Sequence, residues 1–143
     1  MNRYVVDASV AIKWFLPEIH SEAALRLRSS RDRLHVPALM TLELGNVLVK
    51  RIRRGQLTRA EGDVVLKELT QLPLQRHADD RLFPTAYQLA LDTQRSLYDC
   101  LYLALAEAVD GLMVTADRKF YSSLTGSSYG SRVLWVEDLP QLT

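Results

Sequence analysis

Residues 4–9 read YVVDAS, and a helical pattern, ASVAIKWFL, begins immediately after the Asp. Arg3–Val6 is short and apolar enough to predict a strand buried on both faces, followed by a helix over Ala8–Leu16 that Pro17 stops. Asp7 therefore stands at the carboxyl end of a buried strand. There it can cap the helix, accept a phosphoryl group or bind a metal. One carboxylate does not choose among these, so the choice depends on what the rest of the chain brings to it.

Outward from this stretch, strands and helices alternate. Ser21–Ser30 predicts an amphipathic helix capped near Ser21, and Leu34–Val36 a short strand ended by Pro37. Ala38 to about Arg54 predicts a long helix closed by Gly55. Thr58, with Glu61 three residues on as a capping-box pair, starts a helix that runs to about Leu72. Leu82–Gln94 is a helix with Pro84 in its first turn, and Ser96–Val109 another, stopped by Gly111. Leu112–Val114 and Val133–Val136 complete the strands, and the Ser- and Gly-rich stretch 122–132 (SSLTGSSYGSR) reads as a mobile loop. Short apolar strands separated by helices imply an α/β fold, a parallel sheet covered on both faces. In such sheets functional groups collect outside the carboxyl ends of the strands.

The 143 residues, 48% apolar and 24% charged, suit one globular domain spanning 1–143. A chain of this size can bury roughly 68–70% of its unfolded surface without help from disulfides or metals. No run approaches the roughly 18 apolar residues of a membrane span, so no membrane association is expected. The single cysteine, Cys100, excludes an internal disulfide and suits a reducing, cytoplasmic setting. No signal-peptide layout opens the sequence. Cys100 itself reads as a small core residue rather than a nucleophile. The net charge of +1 neither favours nor excludes a nucleic-acid partner.

Three further acids stand out beside Asp7. Glu43 lies in PALMTLELGNVLVKRIRRG (37–55), where Met40, Leu42, Leu44, Val47, Leu48, Val49 and Ile52 cover most of a helical wheel. A helix so apolar should be largely buried, which places Glu43 at a cleft. The alternative is that Glu43, Asn46, Lys50 and Arg54, at i, i+3, i+7 and i+11, form a stripe that merely faces water. Asp99 opens an otherwise apolar helix, where Ser96-x-x-Asp99 also matches a capping box. Asp117 follows the LMVT strand and can equally be a turn or N-cap residue. Asp80, Glu107 and Asp110 read as surface residues.

Should Asp7, Glu43, Asp99 and Asp117 converge, repulsion would raise their pKa values. A divalent cation relieves that repulsion, and an all-oxygen site suits Mg²⁺ or Mn²⁺. Neither the histidines (His20, His35, His77) nor Cys100 has zinc-ligand spacing. Such a site can activate water against a phosphodiester, with Ser9, Asn46 and Thr115 as supporting polar residues. Two basic clusters, Lys50, Arg51, Arg53, Arg54 and Arg26, Arg28, Arg31, Arg33, are solvated surface unless they border that site. Lys50 and Arg54 lie about 10 and 16 Å along the helix from Glu43, placed to hold phosphates flanking a scissile one.

The segments YVVDASVAIKWFLPE, VPALMTLELGNVLVKRIRRGQL, SLYDCLYLALAEA and VTADRKFY, in this order from Tyr4 to Tyr121, resemble the PIN-domain ribonucleases of the VapC toxin type. The resemblance implies a three-layer α/β/α PIN-like fold around a mostly parallel sheet. It implies a Mg²⁺- or Mn²⁺-dependent endoribonuclease with Asp7, Glu43, Asp99 and Asp117 as its acids and Ser9 and Thr115 as its hydroxyls. It also implies toxicity restrained by a cognate VapB-type antitoxin, and a homodimer. Trp14, Phe15, Leu16 and Pro17 either receive the antitoxin or pack in the core. A non-catalytic RNA- or protein-binding module is the alternative. An aspartyl-phosphate phosphatase fits less well, because Ser9 stands where a second Asp is needed.

Overall fold

The computed structural model describes residues 2–30 and 32–140, so Arg31 of the second basic cluster lies outside the described residues. Five strands form one sheet: β1 (Arg3–Val6), β2 (Arg33–Pro37), β3 (Gln75–His77), β4 (Leu112–Thr115) and β5 (Val133–Trp135). Their order is β3-β2-β1-β4-β5, and every pairing is parallel. Val5 and Val6 are completely buried, as a central strand between helical layers requires. Helices α1 (Ala8–Ala11), α2 (Ser21–Arg28), α3 (Leu39–Arg53), α4 (Arg59–Gln71), α5 (Asp79–Thr93), α6 (Leu97–Ala108) and α7 (Arg118–Leu124) complete the PIN-like α/β/α arrangement. Among the described residues no helix is long and apolar enough to cross a membrane.

This strand order creates the site. The chain leaves β1 toward β2 on one side, while β4 lies on the other, so a crevice opens between the carboxyl ends of β1 and β4. The register pairs Val6 with Val114, and the Asp7 amide continues the ladder to the Val114 carbonyl at 3.2 Å. Asp7 and Thr115, each the next residue, therefore emerge side by side.

Several expectations hold with small shifts, and others need correction. The capping box of Thr58 and Glu61 is present in both directions. Gly55, at φ 72°, closes α3 with the Gln56 amide reaching back to the Arg51 carbonyl at 2.9 Å. At the end of α6 the left-handed residue is Asp110 rather than Gly111. Gly111 is needed because a Cβ there would stand 2.4 Å from the Arg3 carbonyl oxygen. The first helix is α-helical only to Ala11 and tightens to a 3₁₀ turn over Ile12–Trp14. Helix α2 starts from His20 with no side-chain cap, and Ser21 Oγ instead accepts the Glu18 amide at 2.8 Å.

Helix α5 begins at Asp79, which puts Pro84 inside it rather than in its first turn. Asp79 Oδ1 also accepts the Leu39 amide at 3.0 Å, so it caps α3 from another element. The stretch 122–132 contains the end of α7 and a 3₁₀ turn (Gly130–Arg132) rather than a continuous loop. Trp14 packs in the core, with Nε1 donating to the Ala24 carbonyl at 2.8 Å, while Phe15 and Leu16 are half-buried and Pro17 is exposed. Helix α3 is buried only through Leu39, Met40, Leu44 and Leu48. Leu42 remains 71% exposed, because a single side of the helix rests on the protein.

Edge strand β3 is tied to β2 by a histidine pair, His35 Nδ1 to His77 Nε2 at 2.9 Å. Burial first, then the neighbouring His77, Arg3 and Arg33, lower the pKa of His35, and burial lowers that of His77. Both rings are thus neutral in the fold when unfolded histidines, with an ordinary pKa of 6.5, begin to charge. The linkage runs one way: stability present above this value is lost as pH falls through it. Both imidazoles should titrate below 6.5 by NMR; ordinary midpoints would show that the pair is not held neutral.

Candidate active site

Asp7 is 7% exposed. Its Oδ2 accepts the Ser9 and Thr115 hydroxyls, each at 2.8 Å. Each hydroxyl in turn accepts a backbone amide after β4: Ala116 to Ser9 Oγ at 3.1 Å and Asp117 to Thr115 Oγ1 at 3.0 Å. The four groups lock the β1 and β4 ends together and fix one carboxylate oxygen. Among the described residues, Oδ1 has no protein donor. Burial pushes the Asp7 carboxyl up to about 6. The two hydroxyls oppose that shift, and the charges of Asp99 and Glu43 add to it.

Those two acids arrive from different layers. Glu43, half-buried on α3, has its pKa raised by burial and by Asp99, while a hydrogen bond from Tyr102 opposes the rise. Asp99, half-buried in the first turn of α6, is raised by burial and by Asp117, against the Ser96 hydroxyl and the Arg95 charge. Ser96 Oγ accepts the Asp99 amide at 3.1 Å, so Ser96 caps α6. The reciprocal bond of a capping box, from the Ser96 amide to the Asp99 carboxylate, is not made. Asp117 does cap α7, its Oδ1 accepting the Phe120 amide at 3.1 Å, and it is exposed. All four acids are therefore linked by mutual repulsion, Asp7 to Asp99 and Glu43, and Asp99 to Asp117.

The donor set is all oxygen, as a hard cation requires. Among the described residues no three acidic, histidine or cysteine side chains are gathered closely enough to enclose a metal ion by themselves. Mg²⁺ does not require such an enclosure, since it keeps several of its own waters and is held by one or two carboxylates. The free Oδ1 of Asp7 and the carboxylates of Asp99 and Glu43, whose charges act on it, are the groups that would hold such an ion.

The supporting residues divide. Ser9 and Thr115 belong to the cluster, whereas Asn46 is exposed one turn beyond Glu43 and makes no side-chain hydrogen bond among the described residues. Lys50 and Arg54 are exposed and line a groove of about 400 Å³ with Val47, Arg51 and Gln56. Among the described residues neither Lys50 nor Arg54 pairs with a carboxylate, whereas Arg51 is held by Glu18, which also meets the buried Lys13 at 3.2 Å. Cys100 is fully buried against Thr93, with burial raising its pKa, as a core residue would be. Sequence reasoning passed over Tyr102 and Arg95. The spacing Asp99-x-x-Tyr102, which shares one helix face, was the available signal.

A family model described as the PIN domain matches residues 4–122. The protein named Ribonuclease VapC3 from Pyrobaculum aerophilum is 37% identical over 82% of this chain and 91% of its own. The crystal structure of PAE2754 from Pyrobaculum aerophilum superposes with a TM-score of 0.69 at 25% identity, covering 95% of this chain and 85% of that one. A toxin-antitoxin complex from Klebsiella pneumoniae shares the fold, with a TM-score of 0.60 at 14% identity over 95% of this chain and 99% of that one. The chain belongs to the PIN-domain family.

Asp7 loses its proton near 6 in the fold and near its ordinary 3.8 when unfolded. The unfolded chain ionises first, so the metal-free protein loses stability as pH rises between these values, and the full loss persists above them. Asp7→Asn should therefore be more stable than the parent in EDTA at pH 7.5, by on the order of 2–3 kcal/mol, and melt at a higher temperature. The gain should shrink at pH 4. Equal or lower melting temperatures at pH 7.5 would mean the hydroxyl pair already compensates the buried charge.

Proposed function

We propose that this PIN-domain chain is a Mg²⁺- or Mn²⁺-dependent endoribonuclease, the toxin of a type II toxin–antitoxin pair that acts in the cytoplasm. The observation that carries this reading is the buried Asp7 carboxylate, locked by Ser9 and Thr115, its pKa raised by burial and further by acids from two other elements. Metal-free, that arrangement works against the fold; a divalent cation turns it into a binding site. The name of the Pyrobaculum relative supports RNA as the substrate. The Klebsiella toxin-antitoxin complex supports an antitoxin as partner; that this antitoxin is VapB-type, and that the chain forms a homodimer, belong to the same reading.

On this reading each residue has a distinct part. Ser9 and Thr115 orient Asp7 and leave its second oxygen for the ion. Glu43 and Asp99 flank it from α3 and α6, and Asp117 adds negative charge at the rim. When bound, the cation supplies Lewis acidity at the phosphodiester and a more acidic water for in-line attack. Lys50 and Arg54, about 10 and 16 Å from Glu43 along the helix, hold neighbouring phosphates, and RNA binding is salt-dependent because counterions are released.

Asp7→Asn and Asp99→Asn should each abolish Mg²⁺- or Mn²⁺-dependent RNA cleavage and growth arrest, with circular dichroism unchanged. Either variant cleaving like the parent would overturn the assignment of the acids. Replacing Lys50 and Arg54 with Ala should weaken RNA binding and reduce the salt slope by roughly 1.4, the value for two single-strand phosphate contacts. An unchanged slope would return both residues to ordinary surface.

A further inference from the structure

Tyr102 lies one turn after Asp99 on α6 and is completely buried. Its hydroxyl donates to Glu43 Oε1 on α3. The backbone of Ala8, the first residue of α1 and the neighbour of Asp7, lies against the same hydroxyl. One phenol therefore touches the helix that carries Glu43 and the turn that follows Asp7, from the helix that carries Asp99. Burial, with the charges of Asp7 and Glu43 nearby, drives its own pKa far up, so it remains a neutral donor.

We infer that Tyr102 is a positioning residue for Glu43: its buried hydroxyl pins one carboxylate oxygen and leaves Oε2 for the cation. This rests on the metal-site reading above. A tyrosine that only filled the core would need some polar partner for its hydroxyl; here that partner is a site acid whose pKa the bond lowers against burial and Asp99. Glu43 otherwise swings on a flexible side chain, and fixing one oxygen before the ion arrives removes much of that freedom. Groups that hold a ligand from behind commonly govern metal affinity by roughly 10- to 100-fold.

The test is a double-mutant cycle on Mn²⁺ affinity by isothermal titration calorimetry, with the parent, Tyr102→Phe, Glu43→Gln and the double variant. Phe fills nearly the same volume, and near-ultraviolet circular dichroism checks the packing. Tyr102→Phe should weaken Mn²⁺ roughly tenfold or more and lower kcat with KM for RNA unchanged. In the Glu43→Gln background the same change should cost less than about twofold, because its effect passes through Glu43. Parent-like affinity in Tyr102→Phe, or an equal loss in both backgrounds, would overturn the positioning role alone. A parent protein that fails to bind Mn²⁺ would overturn the metal site and this role together.

Discussion

The structure turns on a carboxylate held almost entirely out of water. Asp7 ends the central strand, and the parallel pairing of β1 with β4 brings Thr115 beside it. Hydroxyls from Ser9 and Thr115 satisfy one oxygen, and the backbone after β4 satisfies the hydroxyls. The net result remains unfavourable to the charge, because desolvation outweighs both hydrogen bonds. Glu43 and Asp99 add to the repulsion rather than relieve it. The groups that reduce the stability of this fold are, on the proposed reading, the ones that would bind a cation.

Much of this was legible in the residues. A wholly apolar strand followed by Asp, Ser and a helical pattern identifies a parallel α/β sheet, and the second such strand end, VTAD, identifies the other side of the crevice. Capping residues located Thr58, Ser96 and Gly55 correctly because those signals are local. Strand β3 had no such signal. Gln75, Arg76 and His77 are polar, and they pair only because β2 offers a free edge and His77 meets His35. Helix α7 was hidden for a similar reason: Asp117 caps it, but its second half runs into a Ser-rich stretch that reads as loop. The burial of α3 was overestimated, since apolar residues around the whole wheel say nothing about how many sides are covered.

The site was more legible than its support. The four acids could be named because charge in an apolar context is conspicuous. Asp99 and Asp117 carried capping alternatives: at α6 it is Ser96 that caps and the Asp99 carboxylate makes no capping bond, whereas Asp117 itself caps α7. For Asp117 capping and metal binding are compatible, because a carboxylate has two oxygens and its cap uses one. Tyr102 escaped notice because an aromatic residue on an apolar helix looks like core. Its role depends on the contact with Glu43 across α3 and α6, which spans 59 positions of sequence. The groove of Lys50, Arg51 and Arg54 was visible as a charge run, but the commitment of Arg51 to Glu18 was not.

The central claim is that the β1–β4 crevice is a divalent-cation site centred on Asp7. Crystals soaked in Mn²⁺ and measured at the manganese absorption edge test this directly. An anomalous peak bounded by Asp7 and at least one of Glu43, Asp99 and Asp117 is the predicted result. An empty crevice at saturating Mn²⁺, with the carboxylates still apart, would contradict it.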